Sequence, residues 1–197
     1  FRRVLFRSLE DIELRRNDEV FMDAIGAQRI PDPTTAGDFT RRFERKDNVI
    51  LMDCINNARE RVWSEATDGF MEEAIIDLDG TLASTLGECK EGMDISYKGI
   101  WGYHPLIVSL ANTNEVLYIE NRSGNVPSHE GAAYWIDKAI DLVSPYSSRI
   151  LMRGDTDFSL TVHFDRWSER GDFVFGMDAC KPFVSRAEAL GEECWEP

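Results

Sequence analysis

Two pairs of aspartates are the residues of this chain best suited to chemistry. Asp77 and Asp79 end one apolar segment, and Asp155 and Asp157 follow another. Residues two apart in a strand point to the same face, so each pair presents its carboxylates together. Clustered carboxylates repel one another unless a cation lies between them, and oxygen ligands suit Mg²⁺. A solvated turn at a strand end is the alternative for either pair alone.

The composition predicts a folded, soluble protein. The 197 residues are 43% hydrophobic, enough for one good-sized domain or a domain with a helical appendage. No apolar run approaches the roughly 20 residues of a membrane span. The four cysteines, at positions 54, 89, 180 and 194, form no Cys-x-x-Cys pattern. They argue against zinc and predict reduced, buried thiols in a cytoplasmic protein.

The charge balance is unusual for a protein that binds nucleic acid, because the net charge is −14. The densest basic cluster is Arg41, Arg42, Arg45 and Lys46, for which a solvated helix face is the favoured interpretation. The opening octet, residues 1–8, is interpreted as a sequencing scar and excluded from the fold. The chain is expected to be an internal fragment of a longer protein.

Hydrophobic periodicity changes from helical to strand-like near residue 74. Residues 9–73 are predicted to be a helical lead-in, with helices at 18–25, 35–43 and 49–66. Strands are predicted at 74–79, 104–111, 115–121, 149–153 and 172–175. Later helices are predicted at 130–143, 160–170 and 182–190. The three-residue connection at 112–114 requires an antiparallel hairpin.

The first of the later helices has a clear apolar face. Its predicted N-cap is Ser128, and its inward residues are Ala132, Trp135, Ile136, Ala139, Ile140 and Val143. Three strands with a hairpin, then helix, strand, helix, strand and helix, indicate a ribonuclease H-like mixed sheet. Acidic residues then stand at the ends of its first and fourth strands.

Several segments resemble the DDE-type transposases of bacterial insertion sequences, specifically transposase DDE domain group 1. They are IIDLDGTLAST, GMDISYKGIWGYHPLIVSLANTNEVLY, NRSGNVPSHEGAAYWIDKAI, ILMRGDTDFS and FVFGMDA, in this order over about residues 70–190. The resemblance implies a ribonuclease H-like catalytic domain at residues 74–197, truncated before its C-terminal part. It also implies a site of two aspartates and a glutamate that binds two Mg²⁺ ions, with Mn²⁺ as a substitute.

Carried over by position, the resemblance favours Asp79 as the first catalytic aspartate, with Asp77 as a less certain metal ligand. Asp155 matches the second. Glu188, Glu192 and Glu193 follow the fifth strand without the expected tyrosine and arginine, so the third carboxylate is expected to lie outside this fragment.

The resemblance implies cleavage and strand transfer at transposon-end double-stranded DNA. Full-length protein is expected to act as a homodimer on that DNA, associated with the bacterial nucleoid. His104 and His129 are further candidates to face the site. Asn121, Arg122 and Asn125 are candidate contacts to DNA phosphate, with a glycine-containing turn as the equal alternative.

Two other functions stay open from the sequence. Asp77-x-Asp79-Gly80-Thr81 also looks like the nucleophile motif of haloacid-dehalogenase-type phosphatases, in which Asp77 would attack phosphorus. Asp155 and Asp157 would then hold Mg²⁺. The predicted antiparallel hairpin argues against that parallel fold. The third hypothesis is a catalytically inactive transposase relic.

Overall fold

The computed structural model describes residues 9–66, 69–85, 90–191 and 194. The chain divides into two compact units, residues 1–55 and 56–197. The excluded octet, Cys89, Glu192 and Glu193 lie outside the described residues. Among the described cysteines, Cys54 and Cys194 are exposed, so the expectation that the thiols are buried is wrong for both. No helix of the described part is long and apolar enough to cross a bilayer.

Four helices precede the first strand. They are α1 (Asp11–Arg16), α2 (Glu19–Ala24), α3 (Pro33–Thr40) and α4 (Arg45–Ser64). The sequence predicted the last three and missed the short α1. α3 begins as turn chemistry dictates, because the Asp32 side chain accepts a hydrogen bond from the Thr35 N–H and Pro33 occupies the first turn.

The main sheet has five strands, β1 (Glu73–Gly80), β5 (Leu106–Leu110), β6 (Glu115–Glu120), β7 (Arg149–Gly154) and β8 (Asp172–Phe175). Their order across the sheet is β6-β5-β1-β7-β8. β1 pairs antiparallel with β5 and parallel with β7, while β5–β6 is antiparallel and β7–β8 is parallel. The predicted ribonuclease H-like mixed sheet and its hairpin are confirmed.

A small antiparallel sheet is inserted between β1 and β5, and the sequence did not predict it. Its strands are β2 (Ala83–Ser84), β3 (Asp94–Ile95) and β4 (Trp101–Tyr103), in the order β2-β4-β3. The loop after β6 packs against it closely, since a Cβ on Gly124 would lie 2.4 Å from the Asp94 carbonyl oxygen. This position therefore accepts only glycine.

Helix α5 (Ala132–Val143) covers one face of the main sheet. All six residues of its predicted apolar face are buried, and Trp135, Ile136 and Ile140 are among the largest fully buried side chains. The predicted N-cap is wrong. The helix starts after Gly131, which takes a left-handed conformation with φ of 71°, and Ser128 is instead buried beside β1.

The remaining helices are α6 (Phe164–Ser168) and α7 (Lys181–Glu188). The predicted helix at 160–170 is shorter than expected, because a 3₁₀ turn at Thr161–His163 occupies its first part. Trp167 of α6 is fully buried and donates a hydrogen bond from Nε1 to Asp137 on α5, at 3.0 Å. This bond joins the two helices.

The C-terminal half of α4 protects the edge strand β6. Asn56 donates from Nδ2 to the Leu117 carbonyl oxygen, and Arg59 donates from Nη2 to the Val116 carbonyl oxygen, both at 3.1 Å. Arg59 also pairs with Glu115 at 2.9 Å. Edge carbonyls that would otherwise accept bonds from another chain are thereby satisfied.

Candidate active site

The alternation of β1 separates its core residues from its acidic ones. Ala74, Ile76 and Leu78 are buried, so Asp77 and Asp79 point to the opposite face of the sheet. This is the arrangement that the sequence predicted from the spacing of two. The site is therefore built on strands, which hold side chains more firmly than loops do.

The parallel pairing of β1 and β7 puts the two predicted catalytic aspartates at the same end of the sheet. Asp77 is registered against Arg153, and the five pairs between Glu73 and Asp77 share one spacing of 76 positions. Asp79 and Asp155 lie two residues beyond the last registered pair and are separated by the same 76 positions, with Asp155 immediately after β7. The two carboxylates thus stand at the carboxyl ends of adjacent parallel strands.

Asp77 is engaged in an ion pair. Arg153 donates from Nε to Oδ1 at 2.7 Å and from Nη2 to Oδ2 at 2.8 Å, a two-pronged geometry that fixes both groups. The hydrogen bond to Asp77 raises the pKa of Arg153 above its ordinary value. Both oxygens of Asp77 are therefore occupied by the guanidinium.

Asp79 and Asp155 are exposed, and each accepts fewer hydrogen bonds than Asp77 does. Thr81 donates from Oγ1 to Asp79 Oδ2 at 3.0 Å. The Asp157 backbone N–H donates to Asp155 Oδ1 at 3.0 Å, which caps the 3₁₀ turn Thr156–Phe158. Phe158 is fully buried and anchors that turn. Each carboxylate keeps a second oxygen outside these bonds.

The donor set suits a hard divalent cation but is incomplete. Asp79 and Asp155 supply oxygen ligands only, as Mg²⁺ and Mn²⁺ prefer. Within the described part of the chain, no group of three or more His, Cys, Asp or Glu side chains could hold a metal ion. Two carboxylates with spare oxygens therefore fit part of a metal site.

Comparison with protein families shows the family to which this chain belongs. The model of transposase DDE domain group 1 matches residues 5–197. The chain belongs to this family. DDE transposases generally use divalent metal ions. Among solved structures, it is similar to a piggyBac transposase in a synaptic complex with hairpin DNA, at 18% identity and a TM-score of 0.39. The match covers 60% of this chain but 26% of that chain. No curated protein matches.

The phosphatase alternative is not favoured for this DDE domain. Its fold would require a parallel sheet, whereas β1 lies between a parallel and an antiparallel neighbour. Its nucleophile would be Asp77, whose oxygens accept both bonds from Arg153. The sequence alone did not identify Arg153. Its position two residues before Asp155, on the same strand face, was the available signal.

Arg122, a predicted DNA contact of the DDE domain, is engaged by the protein backbone. Its Nε donates to the His104 carbonyl oxygen at 3.0 Å, and its Nη1 donates to three carbonyls between Pro127 and Glu130. Burial lowers the pKa of Arg122, although Glu120 and Glu130 oppose this effect. The guanidinium fastens the loop between β6 and α5.

The other two predicted DNA contacts differ in their surroundings. Asn125 donates from Nδ2 to Asp94 Oδ2 at 2.7 Å, which ties the same loop to the inserted sheet. Asn121 is exposed at the end of β6. Contacts of these residues with DNA phosphate stay predictions.

His104 lies on the other side of the sheet from the acidic pair. Its ring Nδ1 is 2.7 Å from the Val126 carbonyl oxygen, and its Nε2 would be 2.8 Å from a Cβ built on Gly80. Gly80 alternates with Asp79 and so faces the α5 side. His104 therefore packs against the end of β1 on the α5 side of the sheet and does not lie with the carboxylates. His129 is half-buried.

Proposed function

We propose that this chain carries two of the metal-holding carboxylates of a DNA strand-transfer centre, Asp79 and Asp155. The register of β1 against β7 supports this assignment, because its spacing of 76 positions is also the spacing between Asp79 and Asp155. Asp77, the neighbour on the same face, is held by Arg153 instead. The substrate class is double-stranded DNA at transposon ends, and the reaction is phosphodiester cleavage followed by strand transfer.

The chain's own contribution is positioning. Thr81 orients Asp79 from one side, and the Asp157 N–H orients Asp155 from the other. Held at the end of β1 and at the cap of the turn that follows β7, the carboxylates lose little freedom when a cation or substrate arrives. Divalent cations bound there would activate the attacking oxygen and stabilise charge on the phosphoryl group.

The third carboxylate of the centre is proposed to come from a part of the protein outside this chain. Glu188 lies on α7 after β8, in a helix without buried residues. The full-length protein is proposed to act as a homodimer on DNA in the bacterial cytoplasm, at the nucleoid. An inactive relic is the competing proposal for a chain that lacks that carboxylate.

The test is cation-dependent nicking of a transposon-end duplex by the full-length protein. With Mg²⁺ or Mn²⁺, Asp79→Asn and Asp155→Asn are each expected to reduce nicking at least 100-fold, because each removes a ligand charge. Asp157→Asn is the matched control, since it makes the same change two residues from Asp155 at an exposed position. It should stay within about threefold of the parent protein.

Two results would count against the proposal. Nicking that survives both Asp79→Asn and Asp155→Asn would place the centre elsewhere, and no nicking by the full-length protein would favour the relic. Hydrolysis of p-nitrophenyl phosphate that is abolished by Asp77→Ala would instead support the phosphatase.

A further inference from the structure

The pair formed by Asp77 and Arg153 stands directly before the two proposed metal ligands on both strands. Asp77 precedes Asp79 by two residues on one face of β1, and Arg153, registered against Asp77, precedes Asp155 by two at the end of β7. Strand geometry places residues two apart about 7 Å from one another. The pair is therefore near enough to influence a cation held by Asp79 and Asp155.

The four side chains carry three negative charges and one positive charge. Counted as three carboxylates and one guanidinium, they give the end of the sheet a formal charge of −2. The side chains of Asp77 and Arg153 are 37% and 46% exposed, so water partly screens them. A half-exposed ion pair contributes little to folding stability, so its larger effect is on the charge that this face presents.

We propose that the Asp77–Arg153 ion pair is a positioning and charge-balancing element of the metal centre. Arg153 occupies both Asp77 oxygens, keeps that carboxylate from acting as a third ligand, and sets the negative charge that faces the cation. Asp77 in turn holds the guanidinium away from Asp79 and Asp155. The inference rests on the proposed function, since it requires those two aspartates to bind the cation.

The proposal predicts opposite effects from the two halves of the pair. Arg153→Gln frees Asp77 and makes the local charge more negative, −3, so cation affinity should increase. Asp77→Asn leaves Arg153 unpaired and makes the local charge less negative, −1, so cation affinity should decrease. A unit charge at about 7 Å from a divalent ion, with solvent screening, corresponds to a roughly three- to tenfold change in Kd.

The double variant Asp77→Asn/Arg153→Gln provides the sharpest comparison. It removes both charges and returns the local charge to −2, so its Kd should lie within about twofold of the parent protein. A purely structural pair predicts something different, because both single variants would then weaken binding and the double variant would not recover. Arg153→Lys retains the charge and should also stay near the parent value.

The measurement is Mn²⁺ binding to the full-length protein without DNA, followed by the electron paramagnetic resonance signal of free Mn²⁺. Circular dichroism of each variant checks that it is folded. The expected result is tighter binding by Arg153→Gln, weaker binding by Asp77→Asn and recovery in the double variant. Shifts of the same sign in both single variants, or no shift in either, would overturn the proposal.

The same titration separates this inference from the proposed function. Asp79→Asn and Asp155→Asn should each abolish the Mn²⁺ binding. If they leave it unchanged, the metal site itself has been misplaced and the proposed function fails. If they abolish it while the Asp77 and Arg153 variants do not move in opposite directions, the metal site stands and only the charge-balancing role fails.

Discussion

Replacing Gly80 with alanine should destabilise the sheet at the point where the proposed metal ligands are held. A Cβ at this position would lie 2.7 Å from Ser128 Oγ, 2.8 Å from His104 Nε2 and 2.9 Å from Ser128 Cβ. Ser128 and His104 are both buried, with 5% and 4% of their surface exposed. Neither side chain can turn into solvent, so the added methyl group must displace one of them.

The size of the effect follows from two opposing contributions. Forcing a methyl group into a packed site costs about 1–3 kcal/mol. Removing glycine from a strand returns about 0.5–1 kcal/mol, because alanine has less freedom in the unfolded chain. The net destabilisation is therefore at most about 2.5 kcal/mol, which corresponds to a fall in Tm of up to about 10 °C for a unit of this size.

The assay is urea unfolding of the parent, Gly80→Ala, Ser128→Gly and the double variant. Ser128→Gly removes two of the three crowding atoms, so the double variant should be more stable than the sum of the single effects by about 1 kcal/mol. Gly37→Ala is the matched control, since its nearest atom would be Leu9 Cδ1 at 3.4 Å. Strict additivity of the Gly80 and Ser128 effects would refute the steric explanation.

Three further outcomes are expected from the packing of the sheet unit. Burial alone would raise the pKa of Glu115, but hydrogen bonds from Thr113 and Arg59 hold the pKa below its ordinary value of 4.5. Glu115→Gln should therefore be less stable than the parent protein in urea unfolding at pH 7. This loss of stability should disappear as the pH falls below about 4.5. Asn56→Leu should cost about 1–3 kcal/mol in the same assay, because the Leu117 carbonyl oxygen loses its donor. Trp167→Phe should cost about 2–3 kcal/mol in thermal unfolding through its lost bond to a carboxylate. An unchanged midpoint for any of these would contradict its explanation.

The strands of the main sheet were predictable because burial imposes a period on them. β1 and β5 alternate between the core and the other face, and α5 repeats its apolar residues at helical spacing. The inserted sheet was not predictable in this way. Its strands have two or three residues, too few for a period to show, and the backbone approaches at Gly102 and Gly124 are too close for any side chain there.

The candidate site was predictable in part, for the same reason. A spacing of two is enough to place Asp77 and Asp79 on one face of a strand. The ion pair between Asp77 and Arg153 was not predicted, because it depends on the register between strands far apart in the chain. Local pattern cannot supply that register. The N-cap at Ser128 failed because burial beside Gly80 took precedence over local helix chemistry.

The long separation between β1 and β7 has a consequence for how the protein acquires its site. Their pairing joins residues 76 positions apart, so the entropy cost of closing a large loop comes before the stabilising contacts form. Asp79 and Asp155 come to the same end of the sheet only when that non-local pairing is complete. During synthesis, a nascent chain that ends before β7 can pair β1 only with β5. The proposed cation site between these two aspartates can therefore form only once the sheet has closed.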